Sequence, residues 1–585
     1  MKYLFKITSI VMLALTITSC EKLLNTDEEI ISGKDATITE NITENVTWKE
    51  GSTIIIDGTV RVGGEQAVVL IIEPGVTVKF TEGSTLEFAY WDKEYATLIA
   101  KGTADKPIIF TSNSPSPQAG DWKSINFFQG AINCELEYCN FKYGGKNEYY
   151  GNIYISETSV LFKNCNFSNS NTSGINLKNK GSFTEFTNNI FSNISTYSIK
   201  IEPSSVHSIG ENNTYDTNSS IYIDGDENFN STGEFVWKNQ NIPYIIDGSM
   251  RVGTKSSQGL KITVEPGVVF KMTTGSYIDF AYWDDDYVTF IAKGTKDEPI
   301  KFTSNSPSPK TGDWKSLNFY KGAINCELDF CEFEYGGSNE YYGNIYVSKT
   351  SLSVTNCKIT NSESYGIVLK TEANFTQFTK NTFYKNKLYP ITLNPNAVHT
   401  LGTDNNFSST STILIDDDKD LTISGNYTWL NQGVPYTLDG TMRLGSVNGT
   451  TLTISAGTVI KFTSGSSIDV SYWNENNAKL IVNGTASENV TFTSNSPSPR
   501  KGDWNGIRFY SDVTGSKLNY CNISYAGGSS YGAIYLSDSG NNTVTITNSK
   551  ISNSSSFGIS VDDESSVNYS SVSFENNDNE NYHVR

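Results

Sequence analysis

A repeated stretch of text constrains this chain more than any other feature. The sequence SNSPSP followed by GDW begins at Ser112, returns at Ser304 and returns again at Ser494, offsets of 192 and 190 residues. Recurrence at a fixed period is the signature of a repeat architecture, in which one structural unit is copied. The 585 residues are therefore predicted to be three tandem copies of one module of about 190 residues, not several unrelated domains.

The repeat also sets the expected module boundaries. Residues 36–229 would form the first module, residues 230–421 the second and residues 422–585 a shortened third. Equivalent starts are marked by Trp48, Trp237 and Trp429. Because no Gly/Ser-rich or Pro-rich linker separates the copies, we expect one continuous body and not separate domains on a string.

The N-terminus has the pattern of an export signal. Two lysines precede an apolar run that ends at Ile17 and is short for a membrane span. The text Ile-Thr-Ser-Cys that ends at Cys20 resembles a bacterial lipobox. The resemblance implies a lipoprotein signal peptide at residues 1–19, lipidation of Cys20, an acidic tether at residues 20–35 and a chain anchored to the outer membrane and exposed at the cell surface. An ordinary signal peptide with a chance cysteine is the alternative.

Charge excludes one class of partner. The formal net charge of −19 is opposite to the basic surface that binding to nucleic acid requires. It also disfavours a polyuronate ligand unless calcium bridges the two. The membrane contact is expected to come from the lipid anchor alone.

Short alternating runs of β-branched and aromatic residues, separated by Gly and Asp-Gly, predict strands and tight turns throughout. Two texts 26 residues apart contain Cys139 with Phe141 and Cys165 with Phe167, which predicts that these side chains stack inside neighbouring coils. In the third module serine replaces two of the three cysteines, which favours a small packed position over an obligatory disulfide. The corner residues Asn164, Asn356 and Asn548 suit a left-handed turn.

Several sequence motifs of the repeat resemble those of one fold family. They are EPGVTVKF from Glu73, LIAKGT from Leu98, PIIFTSNS from Pro107, GDW, the run C-x-F-x-Y-G-G with glycine pairs at Gly144, Gly336 and Gly527-Gly528, and a closing Gly-Ile. Together they resemble the right-handed parallel β-helix repeat proteins of bacterial surfaces, which share the pectin-lyase-like fold. The resemblance implies an all-β solenoid of roughly 22 coils and on the order of 100 Å in length, at about 4.8 Å per coil. It implies no single activity, because the fold carries lyases, hydrolases, adhesins and passive stalks.

The polar residues do not form a recognisable catalytic set. The Asn-Thr-Asp motif of polygalacturonase-like members occurs only at Asn25, in the predicted tether, and their G-H-G and R-I-K motifs are absent from the sequence. Each of His207 and His399 is isolated, about one module from the other. The acid and base four residues apart at Asp57 and Arg61, which recur in every copy, are interpreted as an outward salt bridge.

Acidic clusters stand at the two module junctions. Their oxygen ligands would suit calcium, although a solvated turn is the simpler interpretation and no cofactor is predicted. If calcium binds, its expected ligands are Asp224, Asp226, Asp416 and Asp418.

Aromatic residues in predicted loops are the candidates for a binding surface, because flat rings suit sugar faces and protein partners. A structural role, in which the rings cover the ends of coils, is the alternative. The ligand-binding candidates are Tyr90, Trp91, Tyr282, Trp283, Tyr472, Trp473, Tyr150, Tyr342 and Tyr531. For the Gly-Asp-Trp residues Trp122, Trp314 and Trp504 the sequence favours the structural role.

The sequence thus predicts a non-catalytic surface lipoprotein whose repeated module binds or adheres to a cell-surface or extracellular polysaccharide or protein. Repetition favours this function, because each extra copy of a binding surface adds avidity whereas a copied catalytic site adds little. The Tyr-Trp positions, about 190 residues apart, are expected to lie on one side of a rod. The alternatives are a polysaccharide lyase or glycoside hydrolase of the same fold, and a passive stalk.

Overall fold

The computed structural model describes residues 29–31, 35–339, 341–416, 420–472, 477–511, 513–537, 543–562 and 567–585. Within these residues the chain forms a parallel β-helix of about 20 turns, with 60 strands in seven sheets and two short 3-10 helices, Pro203–Ser208 and Pro395–Thr400. The predicted signal peptide and Cys20 lie outside the described residues. Within the predicted tether, Glu29–Ile31 pairs in parallel with Val46–Trp48.

Three sheets, A, B and C, begin in the first module. Sheet A consists of Glu29–Ile31, Val46–Trp48, Val68–Ile72, Ala96–Lys101, Cys134–Glu137, Ser159–Lys163 and Ser182–Thr187. Sheet B consists of Ala36–Ile38, Thr53–Ile56, Thr77–Phe80, Ile108–Ser112, Cys139–Lys142, Asn166–Ser170, Ile190–Ile194 and Thr214–Tyr215. Sheet C consists of Thr59–Val62, Thr85–Phe88, Ser124–Phe127, Ile153–Ser156, Ile175–Lys178, Ile199–Ile201, Ile221–Asp224, Tyr244–Asp247, Val269–Met272, Ile300–Ser304, Cys331–Glu334, Lys358–Thr360, Thr382–Tyr384 and Asn406–Phe407.

Two sheets, D and E, begin in the second module. Sheet D consists of Gly233–Trp237, Leu260–Val264, Thr289–Lys293, Cys326–Asp329, Ser351–Thr355 and Asn374–Thr379. Sheet E consists of Ser249–Val252, Tyr277–Phe280, Leu317–Phe319, Ile345–Ser348, Ile367–Lys370, Ile391–Leu393, Ile413–Ile415, Tyr436–Leu438, Val459–Phe462, Val490–Ser494, Cys521–Ser524, Lys550–Ser552 and Ser573–Glu575.

The last two sheets, F and G, belong to the third module. Sheet F consists of Gly425–Trp429, Thr450–Ser455, Ala478–Asn483, Ser516–Asn519, Val544–Thr547 and Val567–Ser570. Sheet G consists of Thr441–Leu444, Ser467–Val470, Gly506–Phe509, Ile534–Leu536, Ile559–Val561 and Tyr582–Val584.

The core consists of ladders of identical inward side chains. Burial alternates along the strands, so that every second residue of Val68–Ile72 is buried. In sheet B, Phe110, Phe141, Phe167, Phe191 and Tyr215 stack in succession, with ring centroids 4.9, 5.0, 4.8 and 5.3 Å apart. These spacings are close to the separation of neighbouring strands, so each coil supplies one ring and the next coil buries it. The predicted stacking of Phe141 on Phe167 is confirmed.

The cysteines occupy packed positions with a hydrogen-bonding function. Each of the seven described cysteines is buried and unpaired by a disulfide. The Sγ of Cys134 accepts a hydrogen bond from the Leu98 amide at 3.4 Å. At the equivalent place in the third module, the Ser516 Oγ accepts one from the Leu480 amide at 3.2 Å. Serine can replace cysteine here because both side chains are small and accept the same bond, as the sequence predicted.

Corner residues take the left-handed conformation that the sequence predicted. Asn164, Asn356 and Asn548 have φ of 55°, 53° and 52°. Asparagine tolerates this region better than most residues with a Cβ, so these corners turn the chain without glycine.

The sheets are exchanged at both predicted junctions. Sheet C carries the third strand of each coil in the first module, but from Tyr244–Asp247 onward it carries the second strand. Sheet E makes the same change between Ile413–Ile415 and Tyr436–Leu438. At the first junction the chain passes between two neighbouring strands of sheet C, Ile221–Asp224 and Tyr244–Asp247, through one strand of another sheet, Gly233–Trp237, where most coils have two. At the second junction Gly425–Trp429 is likewise the one strand between Ile413–Ile415 and Tyr436–Leu438. The sheets run across the junctions, which agrees with the expected continuous body.

The Gly-Asp-Trp motif has a structural role, as the sequence predicted: it closes a loop and packs in the core. The Asp121 carboxylate accepts hydrogen bonds from the Ser112 hydroxyl at 2.6 Å and from the Gln118 amide at 3.0 Å, which closes the SNSPSP loop. Trp122 is fully buried, stacks on Phe80 with ring centroids 4.3 Å apart and donates from Nε1 to the Lys142 carbonyl at 2.9 Å. The same side chains form the same bonds at Trp314 and Trp504.

The glycine pair beside this tryptophan is aligned differently from the sequence prediction in the third module. The left-handed glycine is Gly145 in the first module, with φ of 77°, and Gly527 in the third, with φ of 82°. The partner of Gly144 is therefore Ala526, and the assignment of Gly527-Gly528 to the pair is wrong by one residue. The third module also has Ala533 where the first has Asn152.

Because the third module has alanine in place of both Gly144 and Asn152, we predict that Asn152→Ala compensates for the destabilisation caused by Gly144→Ala. A Cβ added to Gly144 would lie 2.7 Å from Asn152 Oδ1 and 2.8 Å from Trp122 Cζ2. Gly144→Ala is therefore expected to lower the free energy of unfolding by about 1–3 kcal/mol through overpacking. Adding Asn152→Ala should recover at least about 1 kcal/mol of that loss, because it clears the closest atom. Urea unfolding of both single variants and the double variant measures the coupling, and purely additive effects would contradict the steric explanation.

Candidate functional site

A column of polar side chains runs along the outside of sheet C in the first module. Arg61, Glu87, Asn126 and Tyr154 are directly paired neighbours on successive strands, so their side chains share one face. Arg61 Nε lies 3.0 Å from Glu87 Oε2, and Asn126 Nδ2 donates to Glu87 Oε1 at 3.3 Å. Glu87 and Asn126 are buried although they point away from the core, so something else must cover them.

The Tyr-Trp loop provides that cover. Ala89 leaves the strand Thr85–Phe88 with φ of 51°, which turns the chain sharply back over the column. The Arg61 guanidinium carbon then lies 4.4 Å from the ring centroid of Tyr90 and 5.3 Å from that of Trp91. The outer faces stay in solvent, because Tyr90 is 37% exposed and Trp91 56%. The guanidinium thus fixes the rings from below by a cation–π contact while their other faces remain available.

The second module repeats this arrangement. Arg251 lies 4.8 Å from the Tyr282 ring centroid and 5.9 Å from that of Trp283, and these rings are 40% and 53% exposed. Asp279 replaces Glu87 and accepts a hydrogen bond from Asn318 Nδ2 at 2.7 Å. Because aspartate is one methylene shorter than glutamate, its Oδ2 is 3.9 Å from Arg251 Nε, a longer ion pair than in the first module.

The third module has a more basic column. Arg443 lies 5.0 Å from the Tyr472 ring centroid, and Arg508 replaces the asparagine of the other modules, with Nη1 3.8 Å from the buried carboxylate of Asp469. Trp473 lies outside the described residues. Burial raises the pKa of Asp469, and the Arg508 charge opposes that shift.

A tyrosine cluster continues each column. In the first module Tyr150 packs edge-on to Tyr154 at 4.9 Å between centroids, and the hydroxyls of Tyr154 and Tyr149 are hydrogen-bonded at 3.3 Å. Tyr342 contacts Tyr346 at 4.8 Å in the second module, and Tyr531 contacts Tyr535 at 4.3 Å in the third. The predicted residues Tyr150, Tyr342 and Tyr531 are half-buried and extend the same surface as the Tyr-Trp loops.

Burial raises the pKa of Asp279 from 3.8 to about 6, with the Asn318 hydrogen bond and the Arg251 charge acting in the opposite direction. A raised carboxyl pKa means that ionisation favours the unfolded chain, so stability falls as the pH rises from about 4 to about 6 and stays lower above that. Asp279→Asn keeps the acceptor for Asn318 and removes this cost. We expect the variant to be more stable by on the order of 2 kcal/mol at pH 7 and unchanged below pH 4. Urea unfolding of the wild type and the variant at pH 7 and below pH 4 measures this difference in stability. A variant that is less stable than the wild type at pH 7 would contradict the prediction.

The predicted salt bridge between Asp57 and Arg61 is wrong. Arg61 pairs with Glu87 of the next coil, and Asp57 accepts a hydrogen bond from the Thr81 hydroxyl at 2.7 Å. The equivalent carboxylates of Asp247 and Asp439 likewise accept from Thr273 and Thr463. The reason is the strand geometry: residues four apart around a turn diverge, whereas in-register neighbours on adjacent strands are about 4.8 Å apart.

The Tyr-Trp loops were expected to lie on one side of a rod, but the strands that carry them belong to three different sheets. The strands that precede them are Thr85–Phe88 in sheet C, Tyr277–Phe280 in sheet E and Ser467–Val470 in sheet G. The exchange of sheets at each junction moves the loop-bearing strand to a new sheet. The three columns are therefore equivalent in sequence but are carried by three different sheets.

The junction acids and the histidines have structural partners. Asp224 forms an ion pair with Lys178, Asp416 forms one with Lys370, and the Asp226 carboxylate accepts from the Ser249 amide at 3.2 Å. Asp418 lies outside the described residues. Among the residues that the structure describes, no three His, Cys, Asp or Glu side chains converge as metal ligands. The rings of His207 and His399 pack against Phe235 and Tyr427.

The arginines are the site residues that sequence reasoning missed as a group. The chain has six arginines, and five of them contact the aromatic columns: Arg61, Arg251, Arg443, Arg508 and Arg585. The signal was available, because a chain that uses lysine for nearly all its positive charge keeps arginine for stacking and carboxylate pairing.

These features define a β-solenoid scaffold with an aromatic and charged column on the outside of each module. A family model described as a pectate-lyase like beta helix domain matches residues 40–149 and 421–543. The chain is a parallel β-helix protein, and the two segments that match this domain together cover less than half of it. No curated protein and no solved structure matches it. The fold is compatible with an enzyme or a non-enzyme. In the described part of the chain, no helix has the length and apolarity needed to cross a membrane.

Proposed function

We propose that this protein is a non-catalytic binding scaffold that holds a polysaccharide on its Tyr-Trp loops. The observation that carries the proposal is the ring pair of each described loop, in which one face is fixed by an arginine and the other is exposed, as at Arg61, Tyr90 and Trp91. Rings held in this way lose little freedom when a ligand stacks on them, so less binding energy is spent on ordering. Recurrence of the loop in each module favours a repetitive ligand over a single small molecule.

A polysaccharide lyase or glycoside hydrolase is the second candidate. The observation that favours it is Asp279, a buried carboxyl with a pKa of about 6 beside an arginine and a tyrosine cluster. Groups with such shifted pKa values are frequent at catalytic sites. Against catalysis, Asp279 lies under the aromatic cover. The second buried acid of this site, Asp286, belongs to the covering loop itself, whereas most glycoside hydrolases use two carboxyl groups that flank the scissile bond.

One experiment separates the two functions. The purified protein is tested on an array of bacterial and plant polysaccharides for retention, and the supernatants are analysed for unsaturated or reducing ends. We expect retention without products, and retention that decreases in the Trp91→Ala, Trp283→Ala double variant. Products that disappear in Asp279→Asn would establish the enzyme, and retention unaffected by the double variant would remove the loops as the binding site.

We further propose that the scaffold is displayed on the outer membrane through lipidated Cys20. Cys20→Ser is expected to shift the protein from the membrane pellet to the soluble fraction, because a chain with a net charge of −19 has no other affinity for an anionic bilayer. Cell fractionation and metabolic labelling with a fatty acid measure this. A variant that remains unlabelled but still pellets would indicate a protein partner at the membrane instead of the anchor.

A further inference from the structure

A cleft of 540 Å³ lies beside Trp91 in the first module. Its walls include the rings of Tyr90, Trp91, Tyr95 and Phe128. Tyr90 and Trp91 meet edge to face, with planes at 83°, so the cleft presents rings in two orientations. Tyr95, which is 44% exposed, adds a third accessible ring to the lining.

The charged residues of this cleft are mostly acids. The lining includes Asp92, Glu94 and Glu157, and Lys93 is the one cation among the described lining residues. Glu94 Oε2 accepts a hydrogen bond from the Trp91 amide at 3.2 Å, which holds it inside the loop. In the described part of the chain, none of the three acids forms an ion pair. Arg61 does not neutralise them, because it is paired with Glu87 under the rings.

The second module has the same rings with a different charge. Tyr282, Trp283 and Tyr287 repeat the three exposed rings. At the equivalents of Gln129 and Glu157 it has Lys321 and Lys349. Its Asp285 stands where the first module has Lys93, but this acid is paired with Lys255 at 3.1 Å. Glu157 and Lys349 have the same backbone conformation, with φ of 58° and 56°. The exposed rings of the two loops are therefore alike, but the cleft beside Trp283 is lined by other residues, among them Arg251 and Lys255, and has more basic surroundings.

We propose that the cleft beside Trp91 binds a saccharide carrying a protonated amine, of the 2-amino-2-deoxy type, whereas the cleft beside Trp283 does not select the amine. This inference rests on the proposed polysaccharide-binding function and names the sugar class for one of its sites. A pyranose stacks on the exposed indole through its C–H face, and an attached ammonium group gains from the ring faces and from Asp92 and Glu157. A neutral or N-acetylated sugar can still stack on the indole, but it lacks the ammonium group that interacts with Asp92 and Glu157.

The test compares hexasaccharides of glucosamine and of N-acetylglucosamine by calorimetry at low ionic strength. We expect the first to bind roughly tenfold more tightly at a pH where its amines are protonated, and this preference to disappear when the pH neutralises them. Glu157→Lys, which reproduces the second module at a position of the same backbone conformation, should abolish the preference, with a larger loss of affinity for the glucosamine hexamer than for the acetylated hexamer. The matched variant Lys349→Glu should create a second amine-selective site.

Each other outcome overturns the inference in a recognisable way. Equal affinity for both hexamers, with one binding site fewer in Trp91→Ala, removes the amine selectivity and keeps the polysaccharide function. Absence of binding for both hexamers, together with no retention of any polysaccharide on the array, removes the proposed function as well. Polylysine that binds equally to the wild type and Trp91→Ala, without binding of either hexamer, would indicate that the acids recognise a basic polypeptide instead of a sugar.

Discussion

Trp122→Ala is expected to lower the free energy of unfolding by about 3–5 kcal/mol, the range found when a large buried aromatic is truncated. The side chain is fully buried, and its loss would remove the stack on Phe80, the hydrogen bond to the Lys142 carbonyl and the wall against which Gly144 packs. The packing between neighbouring coils would weaken at this point, because in a solenoid each coil supplies part of its neighbour's core.

Trp91→Ala is the matched control for this prediction. The same residue type is removed from the same module, but Trp91 is 56% exposed and its main contact is the cation–π pair with Arg61. We expect a loss of less than about 1 kcal/mol. Urea unfolding followed by far-ultraviolet circular dichroism compares the two variants. A similar loss in both would mean that the Tyr-Trp loop is part of the scaffold.

Replacing Trp91, Trp283 and Trp473 together by Ala is expected to weaken binding to an immobilised polysaccharide more than roughly 100-fold, whereas Trp91→Ala alone weakens it less than roughly tenfold. The three positions are about 190 residues apart, which at seven coils corresponds to roughly 34 Å along the axis. A polymer can reach several loops, and each loop lost removes one intramolecular binding step. A short oligosaccharide occupies one loop and should show no such dependence on the number of sites.

Surface plasmon resonance with immobilised polymer and competing soluble oligosaccharide measures this difference. Because the loops project from strands of three different sheets, the polymer must wind around the solenoid, and longer chains should be needed than the axial distance alone suggests. The triple variant also serves as its own stability control. If its unfolding midpoint falls in proportion to its affinity, the tryptophans act through the fold and the binding proposal fails.

The sequence by itself determined the local part of this structure. Alternation of apolar residues depends on neighbours two positions apart, and the 26-residue echo of Cys139 and Cys165 depends only on coil length, so strands, stacked core and asparagine corners could all be predicted. The candidate rings could also be selected, since Tyr90 and Trp91 stand in a loop between two clear strands.

Only the tertiary structure decided which residues meet across coils. The partner of Arg61 is Glu87, 26 positions away, because strand register and not proximity along the chain brings side chains together. The same register gives Asp279 a buried place beneath aromatic rings and therefore its raised pKa. The exchange of sheets at Ile221–Asp224 and Ile413–Ile415 depends on how one coil packs on the next. The sequence repeat alone does not indicate that packing. Loops at equivalent positions of the repeat are consequently carried by different sheets.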